Sequence, residues 1–577
     1  MDNTELAEIF DRIADLLEIK GELVFKTLAY RRAAVSLRDL VEDIHSLRAL
    51  NRLDEIPGVG KAIAQKIEEL LDTGQLGFLN RLEEEVPPSL IELLNVPDVG
   101  PKKVALFWQK AGITTLDALE SAAKENRLQD LPGIGLKSEA RLLEGIKAYR
   151  RSIRRIPLPV ARTLARPWLK WLEDQPGVTQ AQAAGSIRRW RLDIGDLDIV
   201  FASSNPAPVM QALTQKKEVY RVLAQGEYKT SIELEDGLRL QFWCQPPERF
   251  GSLLQFVTGS KAHNVRLREF AQKAGFSLSE RGLLDRSGAE HLCATEEEVY
   301  EKLGLPWIPP EMREDRGEIQ AAVQRHLPDL IRLEDLVADL HLHTNWSDGE
   351  GSIEEMVSAA RQIGRRVLAI TDHSYLMKLG EGARFEMLER QRVEIEALRG
   401  QLGDDFVLLH GAEVDILSDG SLDLPEEILK QLDIVVASLH FGFHQPRQVI
   451  TNRLLKAIQN PYVDIIAHPS GRSLPDFEGA DLEWEAVFSA ACQHNVALEI
   501  NANPCHLDLD EARARSAAER GVLLCINTDS HAPRQLGREY GVAVARRAWI
   551  GTHQVLNAWS ENQILDWLKN HKPGKIH

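Results

Sequence analysis

Histidine is concentrated where it could bind metal: thirteen of the seventeen lie in residues 331–577. Seven apolar runs cross that region: LVADLHLHTNWSDG, VLAITDHS, FVLLHGAEVDI, DIVVASLHF, VDIIAHPS, VALEINANP and LLCINTDSH. Six of the seven carry a His, Asp or Glu of ligand type at the C-terminal end. His341 and His343 are two apart, so both rings leave an extended strand on one face. Asp348 follows in the loop, and His373, Glu413, His440, His468, Asp529 and His531 come from other run ends. Nine such ligands suffice for two to three divalent ions with water positions left open. Mixed imidazole and carboxylate donors suit zinc, manganese or iron better than magnesium. Ions held this way lower the pKa of bound water and clamp a phosphodiester. A lone histidine is more often a packing residue, and that reading is kept for His410, His444, His494 and His506. Asp339 and Asp372 lie beside ligands and are expected to orient imidazoles.

A second chemistry sits in GSIRRWRLDIGDLD (185–198). Asp196 and Asp198 alternate on a strand and share a face, so they can hold Mg²⁺ or Mn²⁺ between them. Gly185 and Ser186, at a predicted turn, can present N–H and hydroxyl groups to phosphates. Arg188 and Arg189 can neutralise a triphosphate. A DxD pair alone is usually a solvated strand edge; the upstream Gly-Ser and the arginines make it specific.

A third pattern repeats at about 40-residue intervals: IPGVGK (56–61), VPDVGP (96–101) and LPGIGL (131–136). Each copy precedes a helical pattern. Gly60 and Gly135 are expected to take unusual φ values and to let backbone approach a partner. The helix N-terminus that follows offers N–H groups to an anion. In the second copy Asp98 replaces the first glycine, which places a carboxylate near the phosphate position and predicts weak binding or packing only.

These residues need elements to hold them. Leu6, Ile9, Phe10, Ile13, Leu16 and Leu17 recur at helical spacing, and residues 1–150 read as helical throughout. Strand-like runs enter between 151 and 316, a Pro-rich and polar stretch reads as a linker to 335, and strands alternate with helices from 336 onward, as in a parallel α/β barrel. The 577 residues carry a formal charge of −18. That acidity argues at first against nucleic acid, but −15 of it lies in residues 301–577, and residues 137–170 hold ten Lys/Arg against two Asp/Glu. The polar N-terminus is not a signal peptide, no apolar run is long enough for a membrane span, and five widely spaced cysteines argue against disulfides. A protein of a reducing compartment without a membrane span is expected.

The DxD segment resembles the nucleotidyltransferase signature of family X DNA polymerases. The similarity extends through KTLAYRRAA (26–34), which resembles the domain that holds a 5′-phosphate at a gap, RRIP (154–157) and TGSKAHN (258–264). It implies that Arg155, Gly185, Ser186, Arg189, Asn264 and Arg268 face an incoming deoxynucleoside triphosphate. It also implies that Lys26, Tyr30, Gly58, Gly60, Lys61, Lys66, Gly100, Gly133 and Gly135 contact gapped or nicked DNA, with Lys66 at a lyase position. The hairpins resemble helix-hairpin-helix motifs, which grip a DNA backbone without reading sequence. One departure matters. The family's third catalytic aspartate follows an Arg-apolar pair, and here Leu238-Arg239-Leu240-Gln241-Phe242 puts glutamine there. An amide binds a cation weakly and accepts no proton, so impaired polymerase activity is expected. Phe256-Val257 also departs from the family's usual Tyr-Phe. The histidine-rich half resembles the PHP (polymerase and histidinol phosphatase) superfamily over about 240 residues.

The resemblances imply a multidomain α+β chain: all-α helix-hairpin-helix domains, a nucleotidyltransferase palm and thumb, and a distorted (β/α)7 PHP barrel. The expected boundaries are 1–85 (lyase-like), 86–150 (fingers-like), 151–255 (palm), 256–316 (thumb-like), 317–335 (linker) and 336–577 (PHP). They imply a DNA-repair enzyme with manganese- or zinc-dependent 3′→5′ exonuclease and 3′-end phosphodiesterase activity, acting as a monomer in the cytoplasm and bacterial nucleoid without membrane contact. A gap-filling polymerase with proofreading is the alternative. A DNA-binding scaffold with a structural metal site is a weaker one, because a closed structural site needs far fewer ligands.

Overall fold

Leu6, Phe10, Ile13 and Leu17 are buried along one face of the first helix, Asn3–Lys20, as their spacing requires. The computed structural model describes residues 1, 3–39, 44–153, 155–374, 381–403, 405–474 and 477–571. Arg154 of the RRIP motif lies outside the described residues, whereas Arg155 is described and exposed. The chain divides into two compact units: residues 1–155 with 218–221 and 233–239, and the remainder. All five cysteines are free. No helix among the described residues is long and apolar enough to cross a membrane.

Described residues 1–155 are helices joined by turns. The three Pro-containing turns share one conformation, with Val59, Val99 and Ile134 buried at the same place in each. The expected φ assignment is corrected here. Gly58 and Gly133, both at φ 81°, occupy the left-handed region, and Asp98 does so at 63°. Gly60 and Gly100 are extended N-cap residues, at φ −85° and −103°, of the helices Lys61–Thr73 and Pro101–Ala111. Gly135, just before the helix Leu136–Ile153, has no positive φ either. The chain reverses at the first position of each turn, whereas the second must be extended for the helix to begin. Gly60 and Gly100 supply no side-chain cap, which leaves first-turn N–H groups open.

In the second unit, β1 (Val178–Ala183) pairs antiparallel with β2 (Asp196–Ser203), and β3 (Arg239–Gln245) lies on the other side of β2. Val200 and Ala202 pack against Phe250 and Leu253 of the helix Phe250–Thr258. A three-stranded antiparallel sheet follows, over a core that includes Leu267, Leu283 and Tyr300. The stretch 317–335 carries the helix Glu318–Val323, and buried Glu318 lies 2.6 Å from Nδ1 of His263.

Seven parallel strands come next, in sequence order: β4 (Ala338–Asp339), β5 (Val367–Ile370), β6 (Val407–Asp415), β7 (Ile434–Ser438), β8 (Ile465–Ile466), β9 (Ala497–Asn501) and β10 (Leu524–Asn527). A parallel bridge between Leu342 and Ser530, with the His343 N–H donating to Ser530 O at 2.8 Å, nearly closes them into a barrel. The strands are apolar on both faces because both are covered. Val367, Ala369, Val436 and Cys525 share a core with Trp567, whereas Val435, Ile466 and Leu498 pack with Leu454 and Phe488.

The barrel joins the palm and thumb segments through Arg547, which is 1% exposed. It pairs with Glu511 and with Glu314 and donates to Arg189 O at 2.6 Å. The Arg162 guanidinium lies 4.0 Å from the centre of the Trp190 ring, and Tyr540 meets that ring edge-on at 5.9 Å. A planar guanidinium can satisfy several acceptors at once, which suits a buried junction.

Candidate metal centre and nucleotidyltransferase site

Functional residues of a β/α barrel sit at the C-terminal ends of its strands, and the nine candidate ligands do. His341 and His343 follow β4, His373 follows β5, Glu413 lies in β6, His440 and His468 follow β7 and β8, and Asp529 follows β10. Asp348 and His531 come from the loops after β4 and β10. All nine converge in four overlapping groups, each with ligand atoms within 4.8 Å of one another. The groups are His343/Asp348/His373/His531, His341/His343/Asp529, His341/Glu413/His468 and His373/Glu413/His440. Glu413 joins two of them: Oε1 lies 3.2 Å from His440 Nε2 and 3.0 Å from His468 Nε2, and Oε2 lies 2.7 Å from His373 Nδ1. His468 at φ 25° and Asp529 at φ 47° hold strained backbone, each costing about 1–3 kcal/mol that the surrounding strands must offset.

Burial opposes ionisation of Glu413, but His373, His440 and His341 hold its carboxyl well below the usual range. Asp529 is likewise opposed by burial and held down by His341 and His343. Burial pulls His440 down, yet Glu413 and Asp415 lift it to about 10. His343 moves the other way, lowered by burial. Its Nδ1 is buried without a hydrogen-bond partner among the described residues, and its ring stacks on His373 at 4.2 Å and on His531 at 4.3 Å. Stacked rings with an unpaired buried nitrogen fit neutral imidazole ligands better than imidazolium ions. Donor set and geometry therefore fit a multi-ion centre. Its open side is marked by Asp348, His531 and His440, at 39%, 31% and 23% side-chain exposure, against 0% for His341 and His343.

The orienting carboxylates are not the expected ones. Asp339 accepts from the N–H and hydroxyl of Thr528 at 3.2 and 2.6 Å, and Asp372 from the N–H and hydroxyl of Thr344 at 2.7 Å each. Asp339 sits one layer below His341, and Asp372 points away from its neighbour His373, so both fix loops instead of rings. Glu499 and Asp415 orient the rings: Glu499 Oε1 lies 2.9 Å from His341 Nδ1, and Asp415 Oδ1 2.5 Å from His440 Nδ1. Glu499 also accepts from the His468 N–H at 2.8 Å and from Asn527 at 2.9 Å. The alternation of Glu499 with Asn501, and of Glu413 with Asp415, in buried strands was the available signal. His410, His444, His494 and His506 belong to none of the four groups, although His506 stacks on His468 at 5.5 Å.

In the palm, Asp196 and Asp198 share a face of β2, and Gln241 on β3 reaches them: its Nε2 donates to Asp196 Oδ2 at 2.6 Å. Gly185, at φ 57°, abuts Asp198 so closely that a Cβ would stand 2.2 Å from Oδ2. Burial, and then the Asp196 carboxylate, push Asp198 up to about 7; a cation between the two would relieve that repulsion. Ser186 follows in the short helix Gly185–Arg188. Both arginines are engaged internally. Arg188 binds Glu296 through two bonds of 2.8 and 2.7 Å, and Arg189 binds Glu314 at 3.1 Å and Thr258 O at 2.6 Å. Asn264 accepts from Gln255 at 2.9 Å and donates to Phe256 O at 2.7 Å, and Arg268 Nε donates to Asn264 O at 3.2 Å.

In the first unit, three expected DNA-contacting residues meet on Phe78. Tyr30 stacks on its ring at 5.9 Å, and the Lys26 and Lys66 ammonium groups lie 5.9 and 5.2 Å from its centre. Lys61 opens the helix Lys61–Thr73 beside Gly60, where a Cβ would meet nothing within 4 Å. Asp98 O accepts from Lys103 at 2.6 Å, which closes the second hairpin on itself.

Residues 1–76 match the helix-hairpin-helix domain, 90–148 the SAM-like helix-hairpin-helix tandem, 253–314 the DNA polymerase beta thumb and 339–503 the PHP domain. A probable phosphatase of Thermoanaerobacter sp. (strain X514) is 34% identical over 250 residues, 41% of this chain and 96% of the relative. One of Clostridium botulinum (strain Okra / Type B1) is 32% identical over 245 residues, 41% of this chain and 95% of the relative. The DNA polymerase/3′-5′ exonuclease PolX of Bacillus subtilis (strain 168) is 36% identical over 573 residues, 99% of this chain and 100% of the relative. With helical hairpins, palm, thumb and a metal-ligating barrel matched along its length, the chain belongs to the bacterial family X DNA polymerases that carry a PHP domain.

Proposed function

We propose that this chain is a DNA-repair enzyme whose barrel removes nucleotides and blocking groups from DNA 3′ ends. The observation that carries the reading is the convergence of nine His, Asp and Glu side chains on one open strand-end site. His341, His343, Asp348, His373, Glu413, His440, His468, Asp529 and His531 would hold two to three Mn²⁺ or Zn²⁺ ions. Such ions, when bound, supply an acidified water and a Lewis acid at the phosphodiester. The chain's own part is to aim the imidazoles, through Glu499 and Asp415, and to keep one side of the site open. The hairpins, with Lys26, Tyr30 and Lys66, deliver gapped or nicked DNA as a monomer in the cytoplasm. The boundaries 1–85, 86–150, 151–255, 256–316, 317–335 and 336–577 remain our working division. At the palm, Asp196 and Asp198 would hold Mg²⁺ or Mn²⁺ weakly, because Gln241 brings an amide where a third carboxylate is needed.

The test is a 3′-labelled strand with Mn²⁺. Stepwise shortening is expected, with loss in His341→Ala/His343→Ala. Intact label, or shortening that survives the double substitution, refutes the assignment. A working gap-filling polymerase is the second reading, favoured by the shared face of Asp196 and Asp198 and by the fit of Gly185 against Asp198. Extension of a gapped primer that disappears in Asp198→Ala would establish it.

A further inference from the structure

Arginines in the stretch that follows β10 are mostly paired. Arg534 binds Glu350 at 2.6 and 3.1 Å, and Arg546 binds Glu311 at 2.7 Å. Arg538 differs. Among the described residues its guanidinium has no ion pair or side-chain hydrogen bond, and its Nη1 is buried without a partner. Leaving a donor of a charged group buried and unmade is costly, so such a group points to an absent anion.

Its placement says which anion. Arg538 lies seven residues beyond the ligand His531, and Gln535 ties the two together. Gln535 Oε1 accepts from the His531 N–H at 2.7 Å, and its carbonyl accepts from the Arg538 N–H at 3.3 Å. The short turn Pro533–Gln535 thus keeps Arg538 in the same loop as His531. Burial lowers Arg538 from its ordinary value, and the carboxylate that acts most against this is Asp529, itself a ligand. Once cations engage Asp529, little opposing negative charge is left for the guanidinium. A planar fork of N–H donors matches the oxygens of a phosphate.

We propose that Arg538 is the phosphate-binding residue of the barrel site, holding a non-bridging oxygen of the 3′-terminal phosphodiester next to the metal centre. The inference rests on the phosphodiesterase reading above and names its anion contact.

The experiment uses the full-length, manganese-loaded protein with inorganic phosphate as the probe, read by calorimetry, alongside KM for a labelled 3′ end. In Arg538→Gln, phosphate affinity should fall about tenfold and KM should rise by a similar factor, with metal content unchanged. Arg538→Lys, which keeps the charge and loses the fork, should fall between the two. It also carries the test if the glutamine variant does not fold. Phosphate affinity equal to wild type in both variants, or metal loss in a folded Arg538→Gln, overturns the proposal. Wild-type protein that binds phosphate through Arg538 but never shortens a 3′ end would instead defeat the phosphodiesterase reading and leave the anion site standing.

Discussion

Gln241 donates a 2.6 Å hydrogen bond from Nε2 to Oδ2 of Asp196. The amide therefore occupies a carboxylate oxygen that a divalent cation would use, and adds no charge of its own. Extension of a gapped primer by the wild-type protein should stay near background. Gln241→Asp should raise kcat/KM by roughly 10²- to 10³-fold, the scale of one electrostatic contact in a reacting centre. Single-nucleotide incorporation measures it, and no gain in the variant would show that the amide is not what limits the palm.

Gly185 combines positive φ with a carboxylate 2.2 Å from where a Cβ would be. Gly185→Ala should lower stability by about 1–3 kcal/mol through backbone strain alone. It should also push Asp198 off its face of β2. Thermal unfolding and nucleotide binding followed together would show both effects, while a variant as stable as wild type would mean that the turn relaxes freely.

Glu499 belongs to none of the four candidate ligand groups but meets His341 Nδ1 at 2.9 Å. Glu499→Gln should weaken metal affinity by about 10- to 100-fold, the usual effect of removing a ligand's orienting partner. Metal content after dialysis against graded chelator measures it. His341→Ala should lose more, and equal retention by Glu499→Gln and wild type would remove Glu499 from the site.

Glu296 is buried between Arg188 and Arg313. Burial opposes its ionisation, but Arg313 and Arg188 hold its pKa at about 2 against 4.5 ordinarily. A depressed folded pKa contributes stability that is complete above the unfolded value and is lost as pH falls through the folded one. That shift is worth roughly 3 kcal/mol at neutral pH. Glu296→Gln should unfold at lower denaturant at pH 7, and the difference from wild type should shrink between about pH 4.5 and 2. A pH-independent difference would assign the effect to packing.

Much of the metal centre is legible in the residues themselves. An apolar run ending in His, Asp or Glu is conspicuous, and in a parallel barrel every such end lies at the same mouth. His341, Glu413 and Asp529 can therefore be named without coordinates. Gln241 is named by the family resemblance, which places an aspartate after the Arg-apolar pair; two-residue periodicity alone puts it on one face with Arg239 and Trp243. The α-helical hairpins follow from Pro-Gly turns that recur at about 40-residue intervals between helical patterns, although the residue with positive φ is Gly58 and not Gly60. Both glycines permit either conformation, so residue type alone cannot choose between them.

Partner choice is what the tertiary structure decided. Arg188 and Arg189 are of the right type for a triphosphate, yet Arg188 meets Glu296, 108 residues away, and Arg189 meets Glu314, 125 residues away. Asp339 and Asp372 sit beside ligands in sequence, but the rings are oriented by Glu499, 158 residues from His341, and by Asp415. The unpartnered Nη1 of Arg538 is likewise invisible until every neighbour is in place. Residue types and local periodicity determined which side chains could carry charge or metal and which face they would take. Which of them meet was decided by barrel closure and by the packing of palm and thumb, because hydrogen bonds and ion pairs act over a few ångströms of space regardless of separation along the chain.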